Sequence, residues 1–205
     1  LGASILVPRW SRYVIDLNRP PDGAALYPGR RETGLCPTVM FSGDPVYLDG
    51  GEPDAAAIAA RVERYWRPYH GCLAATLAQI RAEHGHALLW EGHSIRSLCP
   101  MFFDGRLPDY NLGTAEGSSC TAAVRAALAD GLQRAGVSHI VDGRFKGGYI
   151  TRHYGQPEQG ISAVQMEMAQ ACYLDESDPE RFRPALAAPA QAVLRTLLQA
   201  ALAAI

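Results

Sequence analysis

The chain has 205 residues, 48% of them hydrophobic and 20% charged, with a formal net charge of −2. That is the balance of a globular domain able to bury a sizeable core. Eighteen of its nineteen cations are arginine and Lys146 is the single lysine, but no basic tract runs along the chain, so a nucleic-acid partner is not expected. The five scattered cysteines contain no C-x-x-C pair. They suggest neither a disulfide framework nor a thiolate zinc knuckle, and point to a reducing, cytoplasmic compartment. No signal peptide is visible and no apolar run looks long enough to cross a bilayer, so no membrane partner is expected. The opening Leu1-Gly-Ala-Ser lacks methionine, and the chain is read as one domain, 1–205, lacking its N-terminal segment.

In chain order, residues 4–7 and 12–17 are β-branched or aromatic enough for strands. The second would stop at Asn18-Arg-Pro-Pro-Asp-Gly23, because prolines cannot donate to a ladder. Residues 24–53 are rich in Gly, Pro and Asp and read as a long structured loop. Asp54 is a suitable N-cap for a helix reaching about His84 and closed by Gly85. Its apolar positions Ile58, Val62, Tyr65, Tyr69, Leu73, Leu77 and Ile80 keep the helical period, and Pro68 should kink or split it. A strand over 86–91 follows, and His93 would lie directly behind it.

The stretch from Cys99 to Ser118 reads as irregular. Ser118 or Ser119 would cap a helix running to about Arg134 and ended by Gly136. Strands near 138–142 and 149–154 would flank a turn at Lys146-Gly-Gly148. A strand at 161–169 and a last, surface-docked helix from about Pro189 complete the pattern. Helices alternating with strands predict an α/β class with a mixed sheet flanked by helices, and ligands of such sheets bind at the carboxyl ends of strands.

Four polar stretches could carry chemistry. His93 is a possible metal ligand, with Ser94 and Arg96 beside it. On a strand, Gln165 and Glu167 share a face with Ala163, while Val164, Met166 and Met168 take the other. A carboxylate there faces either solvent or a site, and in a site it would suit a general base. Arg12, Asn18 and Arg19 bracket one expected strand, where an amide and a guanidinium fork suit a carboxylate; an ordinary surface ion pair is the alternative. Arg144, Lys146, Arg152 and His153 crowd a Gly-Gly turn and form a local anion trap. Phosphate-loop, dinucleotide and G-x-S-x-G hydrolase signatures are absent.

Five blocks together resemble the N-formylglutamate amidohydrolase (deformylase) family, itself similar to zinc carboxypeptidases and aspartoacylase-like deacylases. They are Ser11-Arg-Tyr-Val-Ile-Asp-Leu-Asn-Arg-Pro20, Gly92-His-Ser-Ile-Arg-Ser97, Asp109-Tyr-Asn-Leu-Gly-Thr114, the segment from Gly143 to Gly155, and Gln165-Met-Glu167. The resemblance implies a zinc-carboxypeptidase-like (phosphorylase/hydrolase-like) fold. It also implies zinc-dependent hydrolysis of N-formyl-L-glutamate to formate and L-glutamate, the last step of one bacterial histidine-degradation route. It makes His93 a zinc ligand and Glu167 the residue that activates water, and gives Asn18 and Arg19 a substrate carboxylate. Arg12, Arg96, Arg144 and Arg152 remain for the second carboxylate and the developing oxyanion, with Arg12 taken as catalytic beside Glu167. Lys146 and Asn111 lie in matching blocks without a role. The family's other zinc ligands are expected in an earlier Pro-His-x-Gly and Asp-rich segment. Two alternatives stay open: a deacylase of another N-acyl acidic amino acid, and a non-catalytic dicarboxylate-binding homologue.

Overall fold

The computed structural model describes residues 1–26, 29 and 31–205; Tyr27, Pro28 and Arg30, inside the loop expected over 24–53, lie outside the described residues. The chain divides into two compact units, residues 1–79 and 80–205.

In the first unit, Asp54 caps α1 (Ala55–Arg61) by accepting from the Ala57 amide. A π-helical stretch, Val62–Trp66, joins it to α2 (Arg67–His84). Pro68 has no N–H to give the Arg64 carbonyl and its ring would crowd that oxygen. The widened turn takes up the misfit: Arg67 donates to Val62, five residues back,.

The strands expected at 4–7 and 12–17 do not form. Residues 1–11 are exposed, with Ile5 84% accessible, and 12–19 run as turns. Their carbonyls are taken by side chains instead. Tyr47 donates to Tyr13 at 3.2 Å, Arg61 to Val14 at 2.9 Å and Trp66 to Arg19 at 2.9 Å. His70 Nε2 lies 2.9 Å from the Leu17 oxygen and stacks on Trp66. With these acceptors occupied, no ladder is needed to satisfy the backbone.

The second unit is built on a four-stranded sheet ordered β1-β4-β2-β3. Its strands are β1 (Ala87–Ile95), β2 (Tyr110–Gly113), β3 (His139–Val141) and β4 (Ile161–Ala169). β1 runs parallel to β4, β2 antiparallel to β4 and parallel to β3, so the sheet is mixed. β4 ends where the sequence places it. β1 runs farther than expected and includes His93, and β2 lies inside a stretch expected to be irregular.

On one face, Val164, Met166 and Met168 with Tyr110 and Leu112 form the core, together with α3 (Ala122–Ala135) and α5 (Pro184–Leu202). Thr121, not Ser118 or Ser119, caps α3, and left-handed Gly136 ends it. α5 starts five residues before Pro189, which sits within it. By length and composition α5 could cross a membrane, with mean hydropathy 1.2, contrary to the sequence expectation; here Ala190, Leu197 and Ala201 are part of the core. Residues 149–154 form a helix, α4 (Tyr149–Tyr154), not a strand. It packs against β4 and β1, and Gly148 stands at its N-cap.

Asp142, just past β3, organises the turn after β2. It has φ +52°, which Asp tolerates better than most residues,. Its carboxylate accepts from the Thr114 amide and hydroxyl, at 2.7 and 2.6 Å, and from Arg125 Nη2 at 3.1 Å. Burial pushes this carboxyl up, but the Thr114 and Arg125 donors outweigh burial and hold it below its ordinary value. A folded pKa below the unfolded one gives stability that is fully present above the unfolded value, about 4. That stability is lost as pH falls through the folded value. Unfolding midpoints of wild type should therefore drop on acidification below about pH 4 more steeply than those of Asp142→Asn; parallel pH profiles would show that Asp142 contributes nothing.

Candidate active site

The second face of the sheet is polar. Strand register sets Glu91 beside Gln165 and His93 beside Glu167, with Asn111 on the other side of Glu167. The alternation that sends Met166 and Met168 into the core turns Gln165 and Glu167 to this face. Glu167 is buried on a strand paired along both edges. The solvated-edge alternative for it therefore falls away.

Every residue of this face is tied to the structure around it. His93 Nε2 lies 2.6 Å from Glu91 Oε1, and Glu91 Oε2 accepts from the Thr151 hydroxyl at 2.7 Å. A carboxylate can only accept, so Nε2 carries the proton. Gln165 Oε1 accepts from the Gly148 amide at 2.8 Å. Asn111 Nδ2 donates to the Pro108 and Glu167 carbonyls at 2.7 and 3.1 Å. Its Oδ1 is buried without a hydrogen-bond partner, which leaves an acceptor on the Glu167 side of β2. Burying so many polar groups is costly in a purely structural sheet.

The cations expected around the turn are also engaged. Arg144 Nε donates to the Phe102 carbonyl at 2.8 Å, and its guanidinium lies over the rings of Phe102 and Phe145. Lys146 pairs with Glu116 at 2.6 Å, and Arg152 donates to the Gly147 carbonyl at 2.9 Å. Arg96, just after β1, donates to the Glu176 carbonyl at 3.0 Å.

In the first unit, Arg12, Asn18 and Arg19 gather around a residue that sequence reasoning passed over, the buried Asp16. Arg12 Nη2 donates to its carboxylate at 2.8 Å, and so does the Asn18 amide at 3.0 Å. Asn18-Arg19 lies in a turn, not at the end of a strand. Arg19 gives Nε and Nη2 to the carbonyl and hydroxyl of Thr33, at 2.7 and 3.1 Å, and Nη1 to the Asn18 carbonyl at 2.9 Å. Arg19 thus holds its own loop together. Arg19→Ala should lower unfolding stability by on the order of 2 kcal/mol, through lost charged hydrogen bonds. Chemical denaturation would read this, and an unchanged midpoint would leave Arg19 wholly to ligand binding.

Sequence reasoning also missed Glu91 and Thr151. Glu91 was accessible to it, since it precedes His93 by two residues on one strand and so shares its face. Thr151 was not, because its segment read as a strand.

An α/β unit with a buried histidine–carboxylate face at the sheet is the architecture of a small-molecule site. Comparison with known proteins defines the class further. The profile of the N-formylglutamate amidohydrolase family matches residues 1–174. Relatives described as N-formylglutamate deformylase, from Pseudomonas aeruginosa and Pseudomonas putida, are 52% and 50% identical over 204 residues, which is 99% of this chain and 76% of each relative. The chain belongs to the N-formylglutamate amidohydrolase family. Its fold is similar to that of a crystal structure of N-formylglutamate amidohydrolase from Ralstonia eutropha, with TM-score 0.78 and 21% identity, over 94% of this chain and 74% of that one. A gene product of Agrobacterium tumefaciens gives TM-score 0.62 at 20% identity, over 94% and 68% of the two chains.

Among the described residues no group of three His, Cys, Asp or Glu stands close enough to hold a metal ion. A hydrolytic zinc site takes three protein ligands, so these residues supply part of a set. The part fits: an imidazole whose one nitrogen is held by a carboxylate is the arrangement in which zinc takes histidine from proteins.

Proposed function

We propose that this protein is a zinc-dependent amidohydrolase that hydrolyses N-formyl-L-glutamate to formate and L-glutamate. The observation that carries the reading is 52% identity, over 99% of the chain, to a relative described as N-formylglutamate deformylase. The polar sheet face supports it with a histidine and a carboxylate in register.

His93 would be one ligand of the zinc. When bound, zinc polarises the formyl carbonyl and makes a water acidic enough to attack at neutral pH. Glu167 accepts the proton of that water and later delivers it to the departing amine. A guanidinium steadies the negative charge that develops on the formyl oxygen, the role given to Arg12. Asn18 and Arg19 take one substrate carboxylate, and Arg96, Arg144 and Arg152 are the groups for the other. A dianion leaves water only where such partners replace its hydration.

The test is formate release by the purified protein from N-formyl-L-glutamate, N-formyl-L-aspartate and N-acetyl-L-glutamate, before and after chelation and after zinc is restored. The expected result is a clear preference for the first substrate, activity lost with the metal and regained with it. Preference for another acyl amino acid would make the protein a different deacylase. Tight binding of L-glutamate without turnover of any substrate would make it a dicarboxylate-binding homologue.

A further inference from the structure

Glu91 is a carboxylate for which the apolar core has no use. It is 8% exposed, on the central part of β1, and both oxygens are committed: one to His93 Nε2 at 2.6 Å, the other to Thr151 Oγ1 at 2.7 Å. Thr151 is fully buried on α4, so its hydroxyl has little freedom to turn elsewhere. Three residues from Thr151 the chain is pinned again, where the Gly148 amide donates to Gln165. The face that carries His93 is thus tied twice to the segment that carries Arg144, Lys146 and Arg152.

A carboxylate against a histidine ring fixes the plane of the ring and the nitrogen that bears the proton. The carboxylate does this well only if its own rotamer is held, and here a buried hydroxyl holds it.

We infer that Glu91 and Thr151 are positioning residues for His93: Thr151 sets the Glu91 carboxylate, and Glu91 sets the His93 imidazole. The inference rests on the reading of His93 as a metal ligand. Through Thr151 the orientation of the ring depends on α4 being seated, so the loop preceding α4 and the histidine are organised together.

Glu91→Gln, Thr151→Val and Thr151→Ser test this in the protein as expressed, each with its unfolding midpoint measured. The first readout is independent of activity and of metal: the nitrogen NMR shifts of the His93 ring in metal-free protein. Wild type and Thr151→Ser should show the proton on Nε2. Thr151→Val should mix the tautomers, because Glu91 loses its anchor. Glu91→Gln should also mix them, because an amide can present an oxygen or an amino group to the ring. The second readout is zinc affinity by chelator competition, expected to fall about 10–100-fold in Glu91→Gln and Thr151→Val and to recover in Thr151→Ser. Should Glu91→Gln fail to fold, the Thr151 pair alone carries the test. Folded Thr151→Val with wild-type tautomers and wild-type zinc affinity would overturn the inference. A wild-type protein that binds no zinc, yet shows the tautomer change in the variants, would overturn the metal reading and support the positioning role.

Discussion

Replacing Glu167 by glutamine is expected to lower kcat for formate release by about 10²–10⁴-fold, the usual contribution of a general acid–base. KM, zinc content and the unfolding midpoint should stay near wild-type values. The reason for retained structure lies in what Glu167 contributes to the fold. Its carbonyl accepts from Asn111 Nδ2 and its backbone pairs with both neighbouring strands; the substitution keeps all of that. The side chain keeps its length and planar end and loses only the charge and the ability to take a proton. Since a buried carboxylate costs more to desolvate than an amide, stability has no reason to fall. Loss of zinc with the substitution would make Glu167 a ligand, and an unchanged kcat would move the base elsewhere on this face. Glu91→Gln is the natural comparison: it should act through metal affinity, whereas Glu167→Gln should act through kcat at saturating zinc.

The parts of this fold legible in sequence are those fixed by local chemistry. Asp54 and Gly136 are cap residues whose reasons are local, and both ends fall where they predict. β4 is legible because it is a central strand and reads as a near-continuous apolar run with two polar residues on one face. The failures are cases where tertiary contacts overrule propensity. Tyr13-Val-Ile-Asp-Leu17 looks like a strand, yet side chains of Tyr47, Arg61 and His70 occupy its carbonyls, and those partners are 30–60 residues away in sequence. Tyr149-Ile-Thr-Arg-His-Tyr154 has β-branched residues but stacks Tyr149 on His153 one helical turn later. β2 is four residues long and contains Asn and Gly, too short and too polar to declare itself.

The same division holds for the site. His93 and Glu167 are visible as residue types, and their adjacency is not, because register between β1 and β4 is a property of the assembled sheet. Asp142 and Asp16 left no signal: each gains its partners from donors that the fold delivers, or from the turn it sits in.

The loop bearing Arg144 and Lys146 offers the sharpest test of how the sheet organises the site. Gly113→Ala should be among the most damaging single-methyl additions possible here. A Cβ at Gly113 would lie 2.6 Å from the Gly147 nitrogen, 2.8 Å from the Lys146 carbonyl carbon and 3.0 Å from the Phe145 oxygen. All three are backbone atoms, so no side-chain rotation makes room, and the 145–147 segment has to lift. That segment is held by Ala115 donating to the Lys146 carbonyl at 2.7 Å and by Gly148 donating to Gln165, and both bonds are put at risk. Overpacking of this kind costs about 1–3 kcal/mol, or roughly 2–4 °C per kcal/mol for a chain of this size. The larger effect should be on function, since lifting the segment displaces Arg144 and Lys146 and loosens Thr151 from Glu91. Gly131→Ala is the control. Its Cβ would meet the end of a flexible side chain, Leu197 Cδ2 at 2.7 Å, in the contact between α3 and α5, so it should lower the unfolding midpoint with little change in KM. If Gly113→Ala behaves like Gly131→Ala, with stability reduced and KM for N-formyl-L-glutamate untouched, then the loop does not depend on the sheet for its position and its cations do not hold the substrate.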